Sequence, residues 1–274
     1  MQTLLTTWQT LPSLISPYLL DFGTFKLHWY GLMYVAAFAA VLVLVFWRRK
    51  KGETEMSKDL IWKYAEYGIG GILIGGRLGY VLFYDLAYYL SHPLQVIWPF
   101  ADGELVGIAG MSFHGGVVGI LVTSWLFART YKIDLWKLAA LFIPAMPFGH
   151  MFGRFGNFIN GELWGRETAA NIGMYFSADR FELLRHPSQL YEALGEGFLI
   201  FLVLWSLRSR LKDGRMAVGL YFILYSVARF VIEFFREPDA HLGLLWFELS
   251  MGQLLSIVML VAGIGLIIYA KKKN

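Results

Sequence analysis

The sequence predicts an all-α, polytopic integral membrane protein: one membrane-embedded domain over residues 1–274, with seven transmembrane helices and a small arm on the outer face. Three observations predict it. Hydrophobic residues make up 57% of the chain and charged residues only 16%, whereas a soluble domain carries about 25% charged residues. Mean hydropathy is +0.52. Apolar runs near spanning length recur along the chain, separated by short basic clusters. In lipid every backbone group must be bonded internally, so runs of about 20 apolar residues read as helices.

Residues 1–25 lack a basic leading region, and Pro12, Ser13, Ser16 and Pro17 break their apolar run. They read as an interfacial segment, with Trp8 and Tyr18 near the headgroups, rather than as a cleaved signal. The spans are expected at about 26–47, 60–84, 111–129, 135–152, 187–207, 216–236 and 249–270. Pro144, Pro147 and Gly149 interrupt the fourth. Such breaks are tolerated where the freed carbonyls line a cavity.

Loop charges set the orientation. Arg48, Arg49, Lys50, Lys51 and Lys58 follow the first span, and Arg129, Lys132 and Lys137 follow the third. Arg208, Arg210, Lys212 and Arg215 follow the fifth, and Lys271, Lys272 and Lys273 the seventh. No Lys or Arg occurs in 85–110 or 237–248. The positive-inside rule then places the N-terminus outside and the C-terminus in the cytoplasm. The net charge of +4 therefore reports topology, not affinity for nucleic acid. The chain has no cysteine, which excludes a disulfide framework, a thiol nucleophile and a thiolate metal site.

Residues 153–186 break the charge rule: an outer stretch carries Arg154, Arg166, Arg180 and Arg185. Within it, Arg154, Asn157, Asn160 and Glu162 crowd between Gly153, Gly156, Gly161 and Gly165. Lipid cannot solvate these groups. A cation, two carboxamides and an anion on permissive backbone suit an anionic, hydroxyl-rich ligand.

Other polar positions fall on apolar segments. Arg77 lies among the glycines of the second span, where a structural pair and a ligand role are equally open. His114 opens the third span beside Gly115 and Gly116, which leave one side uncrowded; an imidazole can exchange a proton at working pH. Tyr225, Arg229, Glu233 and Arg236 share one helical face of the sixth span. That ladder leaves one positive charge over, which needs an anion from elsewhere. Tyr30 begins the first span, and His186, Gln189, Tyr191 and Glu192 lie at the entry to the fifth. No His-Glu-x-x-His, Gly-x-Ser-x-Gly or phosphate P-loop pattern occurs, so no metal or cofactor is expected. No internal repeat pairs two broken spans, which weighs against an alternative reading as a transporter or flippase of an anionic lipid headgroup.

Gly-Arg-Phe-Gly-Asn-Phe-Ile-Asn-Gly-Glu at 153–162 resembles the signature of the bacterial phosphatidylglycerol–prolipoprotein diacylglyceryl transferases. His28-Trp-Tyr-Gly, Gly76-Arg-Leu-Gly-Tyr, Met111-Ser-Phe-His-Gly-Gly, Arg185-His-Pro-Ser-Gln-Leu-Tyr-Glu and 229–237 are similar to family blocks in the same order. The resemblance covers about residues 26–270. It implies transfer of the diacylglyceryl group of phosphatidylglycerol to the lipobox cysteine of a preprolipoprotein, with release of glycerol 1-phosphate. It also implies a bacterial inner membrane location and a site open to the outer leaflet. His114, Arg229 and Tyr30 are then the expected catalytic residues. Arg154 matches the Arg that binds the headgroup, and Asn157 and Gly165 match required signature positions. The expected phosphatidylglycerol-binding set is completed by Asn160, Glu162, Arg77, Tyr225, Glu233, Arg236, His186 and Gln189. Residues 167–184 show no family pattern.

Overall fold

The computed structural model describes residues 2–23, 26–98, 100–101, 104–105, 110–238, 243 and 245–273. The chain is mostly helical. Two short antiparallel ribbons depart from the all-α expectation: β1 (Tyr18–Asp21) with β2 (Lys26–His28), and β3 (Phe100–Ala101) with β4 (Glu104–Leu105). Its contacts group into two compact units, residues 1–53 with 139–274, and residues 54–138.

The first unit begins with α1 (Gln2–Leu14) and α2 (Trp29–Lys50). It continues through α6 (Leu135–Phe142), whose first residues belong to the other unit, and α7 (Met146–Ile159). A single stretch then runs through α8 (Ser188–Glu192), a π-helical turn at Ala193–Leu199 and α9 (Ile200–Leu207). The last helices are α10 (Gly214–Ile232) and α11 (Met251–Lys273). The second unit holds α3 (Lys58–Phe83), α4 (Leu86–Ser91) and α5 (Phe113–Thr130). Each of the seven expected segments is largely helical. Among the described residues, four helices are long and apolar enough to cross a membrane: 29–50, 188–207, 214–232 and 251–273. The bent pair α6–α7 makes a fifth if counted as one span. The charges of α3 (Lys58, Asp59, Lys63, Glu66 and Arg77) dilute its apolar character.

The break in the fourth segment has a backbone cause. Pro144 has no N–H, so it cannot bond the Ala140 carbonyl one turn back, and α6 and α7 meet at 56°. The freed carbonyls do not line a cavity, contrary to the sequence expectation. Arg48 donates to Ala140 O at 2.8 Å and to Leu141 O at 2.7 Å. It also pairs with Glu53 at 2.8 Å, and Glu53 in turn meets Arg208 at 3.1 Å. Read from sequence as a loop charge, Arg48 is only 4% exposed and closes the kink.

In the second unit, α3 packs on α5 through Gly71, Gly75 and Gly79 against Gly115 and Gly119. A Cβ on Gly79 would lie 2.7 Å from Gly115 Cα, and one on Gly71 would lie 2.8 Å from Gly119 O. This is small-residue packing at four-residue spacing, which lets backbones approach where lipid offers no hydrophobic drive. Gly115 is therefore committed to the helix contact rather than leaving space beside His114.

Within the first unit, residues 167–184 pack against α1. The Tyr175 N–H donates to Gln9 O at 2.7 Å, and Trp8 Nε1 donates to Ile172 O at 3.1 Å. Phe158, Met174 and Phe176 form a buried cluster with Leu11, Ile15, Trp164 and Leu190 packed against it. Buried Asp179 accepts from Arg185 at 2.8 Å and from the Phe181 and Leu183 N–H groups. Burial pushes the Asp179 carboxyl upward, but the Arg185 hydrogen bonds and the two backbone donors outweigh it and hold the carboxyl below its ordinary range. α1 and residues 167–184, which had no readable pattern, are thus one packed structure.

Two outcomes test these points. Gly75→Leu should lower the thermal midpoint of detergent-purified protein, by the equivalent of about 1–3 kcal/mol for overpacking; an unchanged midpoint would contradict the close contact. The lowered Asp179 value gives stability that is full above the ordinary aspartate pKa of about 3.9 and is lost as pH falls through the folded value. Pepsin cleavage within 167–184 should therefore rise as pH drops below that point, and Asp179→Asn should cleave at a rate far less dependent on pH.

Candidate active site

α7 ends in a way that shapes the signature. The Gly161 N–H bonds Phe158 O at 3.1 Å and the Glu162 N–H bonds Asn157 O at 3.1 Å, with Gly161 at φ +66°. This is a Schellman closure, for which glycine is the favoured left-handed residue. It folds Glu162 back beside the last turn, where Asn157 Nδ2 donates to Glu162 Oε1 at 2.8 Å. The next carbonyls are caught by α8: Gln189 Nε2 donates to Glu162 O at 2.6 Å, and Ser188 Oγ to Leu163 O at 2.9 Å. Gly156 admits α2, since a Cβ there would lie 3.1 Å from the Tyr30 ring. Gly165 lies against the Phe235 and His186 carbonyls, with its N–H bonded to His186 O at 2.8 Å. Gly153 faces open space.

The centre of the site is a carboxylate that sequence reasoning passed over. The Glu192 side chain is fully buried at the end of α8. Arg229 Nη1 lies 2.6 Å from its Oε1 and Arg236 Nη1 2.9 Å, while Arg154 Nη1 lies 3.3 Å from Oε2. Two more carboxylates complete the array. Glu233 meets Arg229 Nη2 at 2.9 Å and accepts from Ser250 Oγ at 2.9 Å. Glu196, fully buried in the π-helical turn, lies 3.5 Å from Arg229 and 3.1 Å from His150 Nε2. Three arginines thus face three carboxylates. The anion that the sixth-span ladder needs from elsewhere is present within the protein as Glu192.

The array also leaves spare capacity on Arg154. Arg229 makes short contacts to two carboxylates. Arg154 makes only long ones: 3.3 Å to Glu192, 3.3 Å to His150 Nε2 and 3.4 Å to Asn157 Oδ1. A guanidinium has five donors in a planar fork, so Arg154 retains donors for a ligand oxygen.

The expected site residues divide as follows. Arg154, Asn157, Glu162, Gln189, Arg229, Glu233 and Arg236 join one hydrogen-bonded and ion-paired array. Tyr30 hydrogen-bonds Tyr34 at 3.1 Å and interacts with Asn157. The Tyr225 ring stands edge-on to His150, 6.0 Å between centroids. Asn160 is the C-cap of α7. Arg236 is not on the α10 face, because that helix ends at Ile232 and the Arg236 backbone bridges Gly165 in the arm. His186 bonds Tyr191 at 3.0 Å, and burial pushes its imidazole below the ordinary range. Arg77 and His114 belong to the second unit. Arg77 donates to Val96 O and Gln95 O at 2.7 Å and to Gly110 O at 3.2 Å, and stacks on Tyr89. His114 is exposed in the first turn of α5, edge-on to Phe113.

Glu192, Glu196 and His150 were missed as site residues. The available signal was spacing: Gln189, Glu192 and Glu196 fall three and four residues apart, and His150 and Arg154 four apart. The π-helical turn, a feature found mostly as short insertions at functional sites, cannot be read from spacing.

Apolar helices of spanning length around a buried array of ionisable groups define a multi-pass membrane protein with a charged interior. The profile of the prolipoprotein diacylglyceryl transferase family matches residues 17–269, and the chain belongs to that family. Proteins named phosphatidylglycerol–prolipoprotein diacylglyceryl transferase are similar along nearly the whole chain. That of Chlorobaculum tepidum is 46% identical, over 98% of this chain and 94% of its own length. That of Campylobacter curvus is 43% identical, over 98% of each chain. That of Wolinella succinogenes is 44% identical, over 97% of each.

Glu192→Gln removes the charge on which three arginines converge. Breaking a buried pair on one side costs about 3–5 kcal/mol, so this variant should show a large fall in thermal midpoint, and Tyr191→Phe a small one. Equal midpoints for Glu192→Gln and the parent protein would show that the array contributes nothing to the fold.

Proposed function

We propose that this protein transfers the diacylglyceryl group of phosphatidylglycerol to the lipobox cysteine thiol of prolipoproteins, forming a thioether and releasing glycerol 1-phosphate. The observation that carries the reading is Arg154: a half-buried guanidinium with long contacts and spare donors, within a signature that belongs to this transferase family. In the proposed reaction the sulfur attacks the glycerol carbon that bears the phosphate ester. The C–S bond forms as the C–O bond breaks, and the electron pair leaves on the phosphate oxygen.

The leaving phosphate gains negative charge. A guanidinium fork matches its oxygens bidentately, and does so more strongly where water is excluded. Arg154 is the proposed headgroup clamp. Arg229, fixed by Glu192 and Glu233, supplies a second positive centre, and Asn157, Glu162 and Tyr30 suit the headgroup glycerol. A free thiol, with a pKa of about 8.5, is only a few per cent thiolate at pH 7. His114 is the proposed proton acceptor. The chain is proposed to cross a bacterial inner membrane seven times as one domain. Its N-terminus is then outside, its C-terminus cytoplasmic and its site open to the outer leaflet. The loop charges support that orientation.

Purified protein with phosphatidylglycerol and a lipobox peptide should yield a heavier, thioether-linked peptide and glycerol phosphate; a Cys→Ser peptide should yield far less. Flipped lipid with no peptide adduct would overturn the reading. Arg154→Gln should lose about 100-fold or more in kcat/KM. His114→Gln should lower turnover; near-parental turnover would remove the base role.

A further inference from the structure

His150 has no part in the reaction as described so far, yet it occupies a contested position. Its Nε2 lies 3.1 Å from Glu196 Oε2 and 3.3 Å from Arg154 Nε. One ring nitrogen cannot satisfy both neighbours. Toward a carboxylate it must carry a proton and donate; toward a guanidinium N–H it must be bare and accept.

Burial decides between them. The Glu196 side chain is fully buried, and its other oxygen has no hydrogen bond, only Arg229 at 3.5 Å. A buried carboxylate oxygen left without a donor is costly. Arg154 is 17% exposed in its side chain and has other acceptors in Glu192 and Asn157. The proton therefore sits on Nε2 and points at Glu196. The Arg154 Nε–H then faces a donor instead of a lone pair, and this edge of the guanidinium is left for another oxygen. The charged and titratable groups facing His150 are Arg154 on its own helix, Glu196 in the π-helical turn, and Tyr225 on α10.

We propose that His150 is a positioning residue for Arg154: by donating to Glu196 it keeps that carboxylate from capturing Arg154, and so reserves the Nε–H edge for a phosphate oxygen of the lipid substrate. The inference rests on Arg154 acting as the headgroup clamp. Arg229 already faces the other oxygen of Glu196 at 3.5 Å; without the imidazole N–H, Oε2 turns to the donor on the far side of that ring nitrogen, Arg154 Nε, and the clamp closes on the protein itself.

Initial rates of the purified full-length protein, with phosphatidylglycerol and lipobox peptide varied separately, test this. In His150→Leu the KM for phosphatidylglycerol should rise about tenfold or more, the scale of one lost charge-assisted hydrogen bond, while the peptide KM stays within about twofold. In His150→Gln a side-chain amide N–H replaces the ring N–H, and the lipid KM should return to within about threefold of the parent value. If His150→Leu does not fold, His150→Asn, whose amide is one methylene shorter, takes its place with the same expectation. A lipid KM unchanged in the Leu or Asn variant overturns the proposal, as does equal impairment in His150→Gln or a joint rise of both KM values. Failure of the parent protein to lipidate the peptide would instead overturn the reading of the site.

Discussion

Glu192 is the point on which the first unit depends. A carboxylate with no solvent access, in a chain surrounded by lipid, must be neutralised by protein. Three arginines do this from three parts of the chain: Arg154 on α7, Arg229 on α10, and Arg236 just beyond it. Their convergence fixes α7, α8 and α10 against one another. It also draws the Arg236 backbone to the arm, where it bridges Gly165. The site and the helix packing are therefore one set of interactions.

A second constraint is the backbone itself. Where a helix is broken inside an apolar chain, each freed carbonyl needs a donor. The three breaks near or within membrane segments find different donors. Arg48 meets the carbonyl that Pro144 cannot bond. Gln189 and Ser188 meet the carbonyls after the turn at Gly161. Arg77 meets those of Gln95, Val96 and Gly110. Two of these donors are arginines whose charge had suggested topology or ligand binding, and both donate to backbone carbonyls.

Pairing of the arginines with carboxylates suits the proposed headgroup site, which would hold an anion and then release it. Unpaired arginines buried in an apolar chain would be costly in the resting protein. In the proposed reaction, Arg229 is already held by two carboxylates, and Arg154, whose contacts are longest, would meet the substrate. Only interactions that strengthen as the leaving oxygen gains charge raise the rate, and a cluster of preset dipoles and charges does so without reorganising at the moment of reaction.

The sequence by itself determined the helical, membrane-spanning character, the positions of the long helices and the polar signature after α7. Each of these rests on local chemistry: run length, charge spacing and a glycine that closes a turn. It also singled out Arg154, Asn157 and Arg229, because polar and charged groups in apolar context are conspicuous, and these three side chains join one array. Only the tertiary structure decided which charges meet. Glu192 and Glu196 read as the polar end of a helix until α7 and α10 brought cations to them. Arg48 read as a loop charge until Pro144 freed a carbonyl beside it. Residues 167–184, which matched no family pattern, take their order from packing on α1 and from the Asp179–Arg185 pair. Pairing across long sequence separations leaves no local period, so neutralisation of a buried charge becomes visible only when the partner helix is in place.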